Sequence, residues 1–84
     1  MRKLLRPKEV GINSSTLWEL QQLGLYPKFF KLYGSKAAAV FVDEHERIIA
    51  LRSAGASDEQ IRELVDQIHK DRQQAAEKVL GGAA

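Results

Sequence analysis

The chain has 84 residues, with 13 Lys/Arg against 11 Asp/Glu and a net charge of +2. At this size about 60–65% of the unfolded surface can be buried, which suits one small domain that reads partners at its surface and argues against a deep enclosed active site. There is no cysteine, so disulfides and thiolate metal sites are excluded and a reducing, cytoplasmic setting is expected.

No apolar run approaches the ~20 residues of a membrane helix. Arg6, Pro7 and Lys8 cut the first apolar run to two leucines, so no signal peptide is expected. Residues 1–41 hold seven Lys/Arg against Glu9 and Glu19, a balance of +5, whereas residues 42–84 hold six against nine acids, a balance of −3. The front half is therefore the half expected to face a polyanion.

In chain order, Pro7 suits the first position of a short helix, because its missing N–H would be unpaired there. PKEV gives about one turn before Gly11. Asn13 is an N-cap for a second helix over 14–23, with Ser14, Ser15 and Thr16 in its first turn. Leu17, Leu20 and Gln21 share one face of that helix, with Trp18 on the flank. Gly24 stands where a left-handed stop belongs, and Leu25 is placed for the contact that follows it. Phe29, Phe30, Leu32 and Tyr33, then Val40, Phe41 and Val42, are strand formers separated by a GSK turn signal, which predicts a hairpin over 28–33 and 37–42. Asp43 with Glu46 reads as the start of a third helix that ends at Gly55. Ser57 with Gln60 is a capping box for a last helix over 58–80, in which Ile61, Leu64, Val65 and Ile68 recur at i, i+3, i+4, i+7.

The expected fold class is mainly α with a small β-hairpin: a winged helix–turn–helix over 1–55 and a C-terminal helical extension over 56–84. The length and apolar stripe of the last helix suggest contact with another copy through Ile61, Leu64, Val65 and Ile68, a gain in multivalency for a weak binder.

The blocks LLRPKEV, GINSSTLWEL and GLYPKFFKLYGSK resemble the AlpA family of phage regulators and the related phage excisionases, within the MerR-like winged helix–turn–helix group. Leu4, Leu5, Arg6, Glu9 and Val10 carry the first match. Gly11, Ile12, Ser15, Thr16, Leu17 and Trp18 carry the second. Gly24, Tyr26, Pro27, Lys28, Lys31, Leu32, Gly34 and Lys36 carry the rest. The resemblance covers residues 4 to about 50. It implies a recognition helix over 14–23, a wing tipped by Lys36, and binding to operator or attachment-site DNA. The implied role is transcription regulation, recombination directionality, or both, with an integrase as partner in the second case.

The residue chemistry bears on this expectation. Ser14, Ser15 and Thr16 allow close approach of backbone N–H groups to a phosphate. Gln22 suits adenine N6 and N7, and Glu19 suits cytosine N4. Trp18 fits two roles, a contact to the sugar–phosphate backbone or the largest core anchor. Helix 14–23 carries no positive charge, so phosphate affinity must come from Arg2, Lys3, Arg6 and Lys8 in front and Lys28, Lys31 and Lys36 on the hairpin. His45 and His69 have no ligand spacing, and no nucleophile–base pair or phosphate loop is visible. No metal, no cofactor and no enzyme activity are expected. The alternative class is a protein-interaction module on the same scaffold, an antirepressor or recombinase partner, which the absence of positive charge on helix 14–23 and the acidic second half would suit.

Overall fold

A computed structural model describes residues 2–33 and 37–82. The chain runs β1 (Leu4–Leu5), a 3-10 turn (Pro7–Glu9), α1 (Ser14–Gln22), β2 (Phe30–Tyr33), β3 (Ala37–Phe41), α2 (Val42–Ser53) and α3 (Asp58–Gly82). This is a mainly helical fold of three α-helices with a small three-stranded antiparallel sheet. The expected first helix is one 3-10 turn, because Gly11 at φ +79° ends it at once.

The helix boundaries follow local chemistry. Asn13 Oδ1 accepts from the Ser15 N–H at 2.8 Å. At the other end of α1, Gly24 takes φ +73°, the Gly24 N–H donates to Gln21 O (3.1 Å) and the Leu25 N–H to Leu20 O (2.8 Å). Those two bonds satisfy carbonyls that the helix leaves open and drive Leu25 into the core. The same arrangement closes α2, where Gly55 has φ +80° and the Ala56 N–H reaches Leu51 O at 3.0 Å. Ser57 and Gln60 form the expected box at the start of α3: the Ser57 N–H donates to Gln60 Oε1 at 2.9 Å, and the Gln60 N–H to Ser57 Oγ at 3.3 Å.

The sheet is ordered β1-β3-β2, so β3 is central. Leu4 lies opposite Phe41 and Leu5 opposite Val40; Phe30 lies opposite Ala39 and Lys31 opposite Ala38, with an irregularity before Tyr33. The hairpin expected over 28–33 and 37–42 is thus shorter, and its turn at 34–36 lies outside the described residues. The pairing of β1 was not expected. It explains how an alanine-rich segment holds as a strand: β3 has a neighbour on each side, and packing overrides weak propensity.

The start of α2 differs from the expected Asp43–Glu46 cap. Phe41 is the N-cap, α2 begins at Val42 with no loop, and Glu44 Oε1 accepts from the Phe41 N–H at 3.1 Å. Asp43 instead holds Arg2 through two bonds of 3.0 and 2.7 Å, and the Arg2 guanidinium lies 3.7 Å from the Phe41 ring centroid.

The core gathers Val10, Leu17, Leu25, Tyr26, Val40 and Ile48 with Ile61, Val65 and Ile68 of α3. This corrects two expectations. Ile61, Val65 and Ile68 are 0–3% exposed and Leu64 is half-buried against the same cluster, so this stripe seals its own domain and is not a contact between copies. The boundary between a 1–55 domain and a 56–84 extension fails for the same reason, because α3 supplies part of the one core. Amphipathicity says that a helix has a partner, not which one. From Gln73 to Gly81 every residue of α3 is exposed, including Val79 and Leu80.

One buried charge ties these elements together. Glu44 is 2% exposed and accepts from Arg72 Nε at 2.8 Å and from Arg72 Nη2. Arg72 Nη1 also donates to Lys28 O at 2.7 Å, while His69 Nε2 accepts the Lys28 N–H at 3.1 Å. Both main-chain groups of Lys28 are therefore fixed by α3, and with them the segment between α1 and β2.

Two predictions follow from this tie. Glu44→Ala leaves Arg72 desolvated and unpaired, which costs about 3–5 kcal/mol by the usual penalty for breaking a buried pair; urea unfolding of the variant measures it. The second concerns His69, whose pKa lies below its ordinary 6.5, first through burial and then through the charges of Arg72 and Lys28, with Glu44 and Asp66 opposing. The fold favours the neutral ring, so the unfolded chain binds the proton more tightly. Stability is full above pH 6.5 and is lost as pH falls through the depressed folded value. The urea midpoint should drop between pH 7.5 and 5.5, and His69→Gln should flatten that drop.

Candidate nucleic-acid interface

Helix α1 presents two faces that differ sharply. Leu17 is 4% exposed and points inward with half-buried Leu20 and Gln21. Ser15, Trp18, Glu19 and Gln22 recur at i, i+3, i+4, i+7 and are all exposed, so they form one outward stripe about 10 Å long. Ser14 and Thr16 are exposed beside it in the first turn. The first intrahelical bond is Leu17 N–H to Asn13 O at 2.8 Å and Asn13 Oδ1 takes the Ser15 N–H, so the Ser14 and Thr16 amides stay open to solvent.

Trp18 is 63% exposed, which removes the core-anchor role for this side chain. The core is anchored instead by Tyr26, 1% exposed, whose hydroxyl bonds His45 Nδ1 at 2.9 Å and whose ring stacks on Phe29. Burial, then the charge of Glu44, pushes the Tyr26 phenol up to about 12. Phe30 and Phe41 pair across the hairpin with ring centroids 5.1 Å apart, a structural use of these aromatics.

The basic residues divide into two sets. Arg2 is committed to Asp43 and lies 3.8 Å from Glu44, and Lys3 borders the same shallow cavity as Asp43 and Glu46. This pair therefore sits at the acidic start of α2, away from the role expected of it. Arg6, Lys8, Lys28 and Lys31 are exposed and, among the described residues, form no ion pair. Lys36 lies outside the described residues. Lys28 lies near the end of α1: it shares an open cavity of about 230 Å³ with Gln21 and Gly24 there and with Arg62, Asp66 and His69 of α3.

Sequence reasoning passed over Arg62, which it counted within the acidic half. Arg62 Nε donates to Leu23 O at 2.9 Å, laying a cation across the C-terminal turn of α1, where positive charge complements the helix dipole. Its side-chain stem lies 3.7 Å from where a Cβ on Gly24 would stand. The partner is 39 residues away, and no local signal announces it.

Together these groups offer an outward set of a hydroxyl, an indole, a carboxylate and an amide, with Lys28 and Arg62 at the C-terminal end of α1. That set suits hydrogen bonding to base edges along one helix and charge contact to phosphates beside it. Among the described residues no three His, Asp or Glu side chains gather as a metal site, and no helix is long and apolar enough to cross a membrane. No protein-family model, no curated protein and no solved structure matches the chain.

Proposed function

We propose that this chain is a DNA-binding protein of phage or mobile-element type, a transcription regulator or recombination directionality factor. In this reading α1 enters the major groove and the hairpin acts as a wing against the adjacent backbone. The observation that carries it is the outward stripe of α1. A tryptophan nearly two-thirds exposed, in line with Ser15, Glu19 and Gln22, is a surface built for contact rather than for folding. Exposed Arg6, Lys8, Lys28 and Lys31, which form no ion pair among the described residues, support a polyanionic partner, as does the resemblance to AlpA-like regulators. The protein acts by binding, without catalysis.

One observation favours a second reading. The stripe itself holds no cation, and an exposed indole beside a carboxylate and neutral polar groups also suits a protein partner such as a recombinase or repressor.

Fluorescence anisotropy separates the two. Titration against pooled genomic fragments and a random duplex at several salt concentrations should give binding that weakens with salt, with a log–log slope of about −4 to −5 for some five phosphate contacts. One fragment should be preferred by at least ~10³-fold. Gln22→Ala should cost about 1–3 kcal/mol on that fragment and little on the random duplex, whereas Lys31→Gln should weaken both alike. Trp18 is the single tryptophan, and its emission should shift to the blue on binding. Absence of salt-sensitive binding to any duplex by the folded protein would leave the protein-partner reading in its place.

A further inference from the structure

We propose that the cavity between the end of α1, Lys28 and α3 is a seat for a backbone phosphate of nucleic acid, held by Arg62 and Lys28. The proposal rests on the DNA-binding reading above and names a contact that lies outside the recognition stripe and the wing.

Three features carry it. The first is that both cations are anchored and still have free donors. Arg62 is held by its Nε bond to Leu23 O, and its two terminal nitrogens have no acceptor among the described residues. The Lys28 main chain is clamped by His69 and Arg72, while its ammonium has no partner there. Ordering the Arg62 side chain on a ligand therefore costs less entropy than ordering a free arginine, while Lys28 offers a fixed main chain from which its ammonium can reach.

The second feature is the rest of the rim. Gln21 of α1 brings an amide. His69 accepts the Lys28 N–H at Nε2, so in the neutral ring Nδ1 carries the proton and is a further donor. One acid, Asp66, borders the cavity, and Lys70 already pairs with it at 3.0 Å. At about 230 Å³ the cavity falls below the usual range for organic ligands, and it suits a small anionic group.

The third feature is position. Gln21 borders the cavity, and the next residue, Gln22, lies on the outward stripe. A strand whose bases meet Gln22 must carry its phosphates past the last turn of α1, and Arg62 and Lys28 wait there. The second half of the chain, acidic in sum, thus lends a cation to the binding face.

Anisotropy titrations of the full chain with duplex DNA over a salt series test this. Arg62→Gln and Lys28→Gln should each lower the salt slope by about 0.9 and weaken preferred and random duplexes alike. Asp66→Asn should tighten binding, and Lys78→Gln, on the exposed end of α3, should leave the slope unchanged. Arg62→Gln also removes the bond to Leu23 O. If that variant melts early, Lys28→Gln decides, since its side chain holds nothing else in place. Parental slopes in the folded variants would overturn the seat. If the parent binds no duplex, the DNA reading falls by itself. Inorganic phosphate then decides the seat by NMR: saturable shifts at Arg62 Nε, Lys28 and His69 sustain it as a phosphate site, and unmoved resonances overturn it.

Discussion

The Arg72 guanidinium reaches from α3 to two places at once, the buried carboxylate of Glu44 on α2 and the main-chain carbonyl of Lys28 between α1 and β2. Glu44 in turn accepts the N–H of Phe41 at the end of the central strand. A single ion pair therefore fixes the sheet, both later helices and the approach to α1. Burying two charges is expensive, and a pair of apolar residues could hold the same space at equal or lower cost. What the charges add is direction. A guanidinium has five donors in a fixed fork, and here the fork sets where Lys28 stands relative to α3. The geometry of the candidate interface is downstream of that fork.

Much of the fold was legible because it is written in local chemistry. Asn13, Gly24, Gly55 and the Ser57–Gln60 box each act within five residues, so their consequences could be read without a third dimension. The features that escaped reading are those whose partners lie far along the chain. Two leucines at 4–5 carry no strand signal alone, and only the pairing with Val40 and Phe41 makes them one. Phe41 is not a capping residue by type. It became one because β3 runs straight into α2 and Glu44 reaches back. The stripe of Ile61, Val65 and Ile68 was visible, but its partner was the chain's own core.

The candidate site divides along the same line. Exposure of Ser15, Glu19 and Gln22 follows from helical period once Leu17 is placed inward. The exposure of Trp18 does not follow from its type, since a tryptophan on a flank packs as readily as it protrudes. Charge was the hardest feature to read. Summed over halves, the chain is basic then acidic, yet folding mixes the halves: Arg2 is drawn to Asp43, and Arg62 is delivered to α1 from the acidic side. Charge bookkeeping along a sequence describes the unfolded polymer. The field that a partner meets is set by contacts such as these.

The tie between Lys28 and Arg72 also has a meaning for the order in which the chain is made. Synthesis releases α1 with its cap and stop early, and these can act at once. The carbonyl of Lys28 and the carboxylate of Glu44 must wait for a guanidinium that is translated 44 and 28 residues later. During that interval Lys28 is not yet held against α3, and a nascent chain halted before Arg72 would carry the outward stripe of α1 without the ion pair that fixes the segment beside it. The fixed arrangement of α1, Lys28 and α3 is thus among the last features to form, after nearly all the residues that make it have been joined to the chain.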